Sequence, residues 1–138
     1  KASQLYAKGA EIYGREAHCG TCHQANGNGL PAAGFPPLRG TQWSTGSPER
    51  LIKLSMKGLF GPIEVSDIEY PGVVPMTPFE HILDDQELAA VLTYVRNSWG
   101  NRSSVITPQD VAKVRKEIKG VTGMYLPASL LEEHPREG

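Results

Sequence analysis

Several large protein classes are excluded by what this chain has little of. It carries only two cysteines in 138 residues, too few to staple a disulfide scaffold. It has no basic excess: 14 Lys and Arg stand against 15 Asp and Glu, for a formal net charge of −1. A nucleic-acid binder usually shows such an excess, so no nucleic-acid partner is expected. No apolar run approaches the roughly 18 residues that a membrane span needs, so the chain as given is expected to be soluble. It shows no signal peptide or lipidation motif, and its opening Lys1-Ala2-Ser3-Gln4 reads as that of a mature or excised segment. Glycine (15) and proline (11) are plentiful, which predicts many loops but not disorder. The length suffices for one domain with one core.

The two cysteines are Cys19 and Cys22, and His23 follows directly. Cys-x-x-Cys-His reads as the attachment site of a c-type haem. Two thiols three residues apart on one turn can each add to a vinyl group on the same porphyrin edge. The next residue then offers its imidazole to the iron as the proximal ligand. Three other readings compete. A zinc site wants a second pair of ligands, whereas His18, His81 and His134 are single and scattered. A thioredoxin-like pair follows a strand, whereas this one follows a helix-period stretch. A plain disulfide would leave His23 without a role.

Along the chain, Tyr6, Ala10, Tyr13 and Ala17 recur at spacings of one helix face and lead into Cys19. Residues 24–46 are rich in glycine and proline and read as an irregular loop. Ser47-Pro48-Glu49 is a helix start, with Leu51, Leu54 and Ser55 at helical spacing and Gly58 as the stop. Alternation in Ile63-Glu64-Val65 and Ile68-Glu69-Tyr70, around Ser66-Asp67, predicts a small hairpin. Pro71, Pro75 and Pro78 force residues 71–79 to be extended. Asp84 and Glu87 have capping-box spacing, with Leu83 and Leu88 in staple positions. Leu88, Val91, Leu92, Val95 and Trp99 then form an apolar stripe stopped by Gly100. Thr107-Pro108 repeats the start signal, with Ile106 and Val111 as staple and Val111, Val114 and Ile118 as stripe. Residues 121–138 are weakly patterned. The fold class expected is all-α, with one small hairpin.

An iron held by one histidine leaves a sixth position, and its occupant decides function. Met56 lies in an apolar helix and is expected to pack in the core. Met124 lies beyond the last clear helix and is expected to cap a hydrophobic edge. Met76 sits in Pro71-Gly-Val-Val-Pro75-Met76-Thr77-Pro78, where prolines stiffen the loop and one side chain can be presented at low entropic cost. A gap-filling methionine is the competing reading. His81 is the rival ligand and would give bis-histidine iron with a lower potential. Arg39, Trp43, Tyr70 and Trp99 are placed to reach a haem; Arg39 and Trp43 are candidates to bond a propionate. His18 is expected to be exposed and unliganded. Residues 1–50 carry five bases and three acids, 51–100 three and seven, and 101–138 six and five. The haem-attachment half is thus mildly basic and the Met-loop half acidic, an asymmetry suited to orienting a partner.

On these residues the sequence resembles the class I c-type cytochromes, over residues 5–99. Gly9 and Tyr13 match the family's first helix, Cys19, Cys22 and His23 its haem motif, and Pro36-Pro37-Leu38 its Pro-x-Leu loop. Pro75-Met76 matches its distal Met loop, and Leu92 and Tyr94 its last helix, which crosses the first. The segments 61–65, the Met loop and 91–101 look like a bacterial group of haem domains fused to or partnered with quinoprotein-type dehydrogenases, copper nitrite reductases and terminal oxidases. Two features depart from that group: Ser66-Asp67 where Asn-Gly is common, and a longer tail from Asn101.

The resemblance implies a cytochrome c fold: four to five helices around one covalent haem c, a hairpin, and a C-terminal helical extension. It divides the chain into a haem domain, 1–100, and an extension, 101–138, packed on the same domain. It implies that the Pro36 carbonyl accepts a hydrogen bond from the His23 ring N–H, and that Leu38 lies beside the haem. The metal ligands expected are His23 and Met76. The function expected is one-electron transfer between redox proteins (a dehydrogenase, reductase or terminal oxidase) by a monomer that is not itself an enzyme. The alternatives are a haem domain of a larger redox enzyme, and a sensor or peroxidase with an open sixth position. The location implied is periplasmic or extracytoplasmic, with a membrane tether outside this segment as a variant. If Cys19 and Cys22 carry the thioethers, acid–acetone extraction leaves the colour with the protein. The double variant Cys19→Ser, Cys22→Ser then releases haem or fails to mature, and one that keeps a tightly attached haem overturns the motif reading.

Overall fold

The computed structural model describes residues 2–14, 23, 26–30, 35–66, 68–70 and 78–135. Among them, six helices and one two-stranded sheet follow in order: α1 (Ala2–Gly14), α2 (Gln42–Thr45), α3 (Pro48–Lys57), β1 (Ile63–Val65), β2 (Ile68–Tyr70), α4 (Asp85–Arg96), α5 (Pro108–Glu117) and α6 (Pro127–Glu133). Helices α3, α4 and α5 start where a side chain satisfies a free amide. The Ser47 hydroxyl accepts from the Arg50 N–H at 3.1 Å, and α3 stops at Gly58, whose φ of 83° favours glycine. Asp84 and Glu87 exchange bonds of 2.8 and 2.9 Å at the start of α4. Thr107 and Asp110 do the same for α5 at 3.1 and 3.0 Å. The flanking staples are closed: Leu83, Leu88, Ile106 and Val111 are all buried.

Helix α4 is the centre of the fold, buried on nearly every side. One face, Leu88, Val91, Leu92 and Val95, lines an apolar cleft. Another receives α1 at Gly9, where an added Cβ would lie 2.0 Å from the Ala90 carbonyl oxygen and 2.7 Å from the Tyr94 Cβ. Around that crossing the Tyr94 ring meets Tyr6 at 5.1 Å, Tyr13 at 5.3 Å and Trp99 at 5.7 Å between centroids.

Two expectations about these helices need correction. The buried face of α1 is not Tyr6–Ala10–Tyr13: Ala10 is exposed and Tyr6 is 38% exposed, while Gly9, Ile12 and Tyr13 are buried. Gly9, matched to the family's first helix, is the centre of the buried face and gives the close crossing with the last helix that the resemblance implies, with Tyr13 and Tyr94 beside it; Ala17 lies outside the described residues. The stripe of α4 also ends early. Asn97 caps the helix, and Trp99 (φ 56°) and Gly100 (φ 92°) form a left-handed hook beyond it.

The hairpin has the register expected, Ile63 opposite Tyr70 and Val65 opposite Ile68, with Ser66 at φ 51°. Asp67 and the proline-rich stretch 71–77 lie outside the described residues. The described part of the tail is held to the rest of the chain at several places. Helix α5 packs on α4 and α3, and α6 packs on α3. Backbone bonds of 3.0 Å from Phe60 to Tyr125 and 3.1 Å from Tyr125 to Gly58 join the tail to the end of α3. Helix α6 corrects the reading of 121–138 as weakly patterned. It has seven residues and no side-chain cap bond, and its anchor is Leu130, fully buried, so only Pro127 at its first turn signals it. Met56 is fully buried, as expected, whereas Met124 is 41% exposed.

The α1–α4 crossing yields a prediction. Gly9→Ala already forces α1 off Ala90, and Gly9→Leu forces it further. Thermal unfolding should report a loss on the order of 1–3 kcal/mol, larger for leucine; an unchanged melting temperature would place the crossing elsewhere.

Candidate functional site

The apolar cleft is bounded by the loop 35–38, α2, α3, β1, the segment 79–83 and α4. It encloses about 730 Å³, its open mouth included, within the range of cofactor sites. Its walls are aliphatic and aromatic: Pro36, Leu38, Trp43, Leu51, Leu54, Leu59, Ile63, Val65, Phe79, Leu83 and the α4 stripe. His23 supplies one titratable group to this lining.

His23 Nδ1 stands 2.7 Å from the Pro36 carbonyl oxygen, so the ring donates its Nδ1–H there and keeps its lone pair on Nε2. This is the contact that the resemblance implied. Burial lowers the His23 pKa, and the bond to Pro36 pulls the other way. The balance favours a neutral imidazole, the form that binds a metal. The Pro36 carbonyl is aimed by the segment around it. Leu30 and Phe35 exchange backbone bonds of 2.8 and 3.1 Å, and the N–H groups of Leu38 and Arg39 both donate to the Gly27 carbonyl, at 2.8 and 3.0 Å.

The other expected residues separate. Pro36, Leu38 and Trp43 line the cleft with His23. The Trp43 Nε1–H is already donated to the Glu64 carbonyl at 3.0 Å, so the ring contributes apolar wall and its N–H braces β1. Arg39 is exposed and is not among the lining residues. His81 points to solvent, 89% exposed, with Nε2 3.5 Å from Glu80 Oε1. Tyr70 is buried, and its hydroxyl has no hydrogen-bond partner among the described residues. Trp99 is half-buried and its ring lies 5.5 Å from that of Tyr13, in the aromatic cluster rather than on the cleft. Cys19, Cys22, His18 and Met76 lie outside the described residues.

Residues with no motif also hold this site. The Arg96 guanidinium, buried, donates to the Ser44 and Gly46 carbonyls at 3.2 and 2.9 Å and to the Ser104 carbonyl at 3.0 Å. Arg50, also buried, donates to the Gln42 and His134 carbonyls at 2.8 and 2.9 Å and lies 5.0 Å over the Trp43 ring. Both clasp the backbone of α2 and thereby the Trp43 wall. On another side, Phe79 and Glu80 donate backbone bonds of 2.9 and 3.0 Å to Ser55 and Met56. Lys57 pairs with Glu80 at 2.8 Å. Arg115 bonds the Glu80 and Leu83 carbonyls and Asp85. Nothing in local sequence pattern marks these residues, because each bonds chain far away in sequence.

An apolar cleft walled by three helices and a strand, with a neutral imidazole whose Nδ1–H is held by a carbonyl, suits a haem. The comparisons agree. The Cytochrome c family model matches residues 6–99. Cytochrome c-552 of Thermus thermophilus is 42% identical over 118 residues, covering 79% of this chain and 85% of that protein. The cytochrome c subunit of the quinone alcohol dehydrogenase of Gluconacetobacter polyoxogenes is 35% identical over 109 residues, 78% of this chain but 22% of that subunit. The gluconate 2-dehydrogenase cytochrome c subunit of Pantoea cypripedii is 32% identical over 115 residues, 79% of this chain and 24% of the subunit. The chain belongs to the cytochrome c family. Membership brings a covalently bound haem c and the role of an electron carrier, and the cleft fits the group: it is apolar, of suitable size, and holds an imidazole. No helix among the described residues is long and apolar enough to cross a membrane.

The Lys57–Glu80 pair makes a pH prediction. The hydrogen bond from Lys57 is the largest cause lowering the Glu80 pKa, helped by the charges of Lys57, His81 and Arg115 against the effect of burial. A depressed folded pKa contributes stability that is present above the unfolded value of about 4.3 and is lost as pH falls through the folded value. Glu80→Gln should therefore lower stability at pH 7 on the order of 1 kcal/mol, and the gap to the native protein should close in acid. A gap independent of pH would mean that the pair is not the source.

Proposed function

We propose that the protein carries single electrons through one haem tethered by Cys19 and Cys22 and ligated by His23 and Met76. The observation that carries this reading is the 2.7 Å bond from His23 Nδ1 to the Pro36 carbonyl at the wall of the apolar cleft. Such a bond fixes the tautomer and strengthens Nε2 as a donor. When bound, the haem supplies the iron that alternates between Fe(III) and Fe(II). The protein's share is to exclude water, through the aliphatic walls, and to hold two donors whose positions need not change with the charge on the metal.

For the sixth position, three facts support Met76. Met56 is fully buried in the core, Met124 is 41% exposed at the tail, and His81 points to solvent. The chain two residues beyond Met76 is anchored to the cleft wall, since Pro78 leads into Phe79, which lines the cleft and bonds Ser55. A proline-flanked loop can aim one side chain at low entropic cost. Thioether sulfur favours ferrous iron and raises the potential. Residues 1–100 are read as the haem domain, with 101–138 an extension on the same domain. The location we propose, consistent with thioether attachment, is periplasmic or extracytoplasmic.

A second reading concerns context. The dehydrogenase subunits that resemble this chain are more than four times as long as the part it matches. The same electron-transfer role is then served by a haem domain working with a dehydrogenase, and the partners we propose are redox enzymes of that kind.

Spectroscopy tests the ligand set. The ferric protein should show the weak far-red band of sulfur-to-iron charge transfer. Met76→Ala should abolish it, lower the potential and open the ferrous protein to carbon monoxide. A band that survives Met76→Ala and is lost in Met56→Ala or Met124→Ala moves the ligand.

A further inference from the structure

The His23–Pro36 bond depends on where the Pro36 carbonyl points, and the segment carrying it has little regular structure of its own. Pro36 and Pro37 have no N–H to anchor it. On one side it is held by 27–30, through the Leu30–Phe35 pair and the Gly27 carbonyl. On the other side it is held by one side chain, Asn101.

Asn101 is 6% exposed. Its Nδ2 donates to the Leu38 carbonyl at 3.2 Å and to the Val95 carbonyl at the end of α4 at 2.9 Å. Its Oδ1 accepts from the Gly40 N–H at 2.8 Å. One amide thus spans Arg39, gripping the chain just before and just after it, and ties both grips to α4. The backbone that delivers Asn101 is strained for this purpose. Trp99 at φ 56° and Gly100 at φ 92° are consecutive left-handed residues, and for a tryptophan that conformation costs on the order of 1 kcal/mol. The same hook lays the Trp99 ring over Gly27, where an added Cβ would come within 2.4 Å of the ring. Gly27 is the residue whose carbonyl holds Leu38 and Arg39. The hook 98–101 therefore braces both flanks of the His23 support: Trp99 behind Gly27, Asn101 across Leu38 and Gly40.

We propose that Asn101 is a positioning residue for the axial imidazole, holding the 36–40 segment so that the Pro36 carbonyl meets the His23 Nδ1–H. The proposal rests on the reading of His23 as an iron ligand. Asn101 touches neither ring nor iron; it acts through the carbonyl. Loosening that carbonyl weakens the hydrogen bond, makes Nε2 a poorer donor and removes some of its preference for ferric iron.

The test uses the intact holoprotein and compares Asn101→Ala and the gentler Asn101→Ser with Thr93→Val. Thr93 exchanges buried bonds of 3.0 Å with Ile106 and does not line the cleft, so its loss weakens the fold elsewhere. The readouts are deuterium exchange of the His23 ring N–H in the ferrous protein, by NMR, and the reduction potential. Asn101→Ala should exchange that proton about tenfold faster or more and raise the potential; Asn101→Ser should move both in the same direction by less. Thr93→Val should melt lower with both readouts native. If either Asn101 variant melts lower while the ring proton and potential stay native, Asn101 is merely structural and the proposal is overturned. Should Asn101→Ala not fold, Asn101→Ser decides. Failure of the ligand reading is visible separately: the native protein itself would then lack a haem-shifted His23 ring signal.

Discussion

The close contact of α1 with α4 at Gly9 and Ala90 is the constraint on which the arrangement turns. A side chain at Gly9 would have to occupy the space of the Ala90 carbonyl, so the two helices meet backbone to backbone. That contact uses one face of α4 and leaves another, Leu88–Val91–Leu92–Val95, free to wall the cleft. With α1 placed, the aromatic cluster of Tyr6, Tyr13, Tyr94 and Trp99 closes around the crossing. The hook after α4 then reaches the loop that supports His23. The loop that bonds His23 and the helix crossing are thus linked through residues 97–101.

The remaining walls are secured by polar groups that act on backbone, together with side-chain pairs such as Lys57–Glu80 and Arg115–Asp85. Arg50 and Arg96 are buried guanidiniums bonded to main-chain carbonyls, and Arg115 holds the carbonyls of Glu80 and Leu83. Irregular segments carry carbonyls with no ladder to satisfy them, and the five-donor arginine fork suits several at once. The cleft itself keeps an apolar lining. Such a lining suits a carrier, since a metal whose charge changes by one unit needs an environment that reorganises little.

The relatives show this frame in two settings. One is a small cytochrome c-552 of nearly the same extent; the others are dehydrogenase subunits of which this chain matches about a quarter or less. The tail from Asn101 adds α5 and α6 against α3 and α4, with Arg50 bonding the far end at His134. That part of the chain covers the side formed by α3 and the segment 79–83, where Arg115 bonds the Glu80 and Leu83 carbonyls.

Sequence alone was enough for the parts governed by local chemistry. Cys19, Cys22 and His23 were read as a haem-attachment motif from their spacing alone. The caps at Ser47, Asp84 and Thr107 are read from a few neighbouring residues, and the structure has each in place. The family resemblance also named Pro36, and its carbonyl lies at hydrogen-bond distance from His23. What required the tertiary structure was everything bonded across long separations. Apolar spacing put Tyr6 and Ala10 on the buried face of α1, whereas Gly9, named by the family resemblance, is its centre; apolar counting cannot register a residue that contributes absence of bulk. Helix α6 escaped because what holds it lies far off in the chain: Leu130 is buried, and Arg50 and Lys53 bond His134 and Glu133 at its end. Arg39 and Trp43 were chosen for their chemistry, yet packing turned one to solvent and gave the other's N–H to Glu64. Asn101 looked like the end of a motif; only folding brings it to Leu38 and Gly40, some sixty residues back in the chain. Local spacing determines which residues are able to cap or be tethered. Which carbonyl a buried amide or guanidinium grips is decided only when helices meet, because that choice is made by whichever unsatisfied backbone the packing leaves within reach.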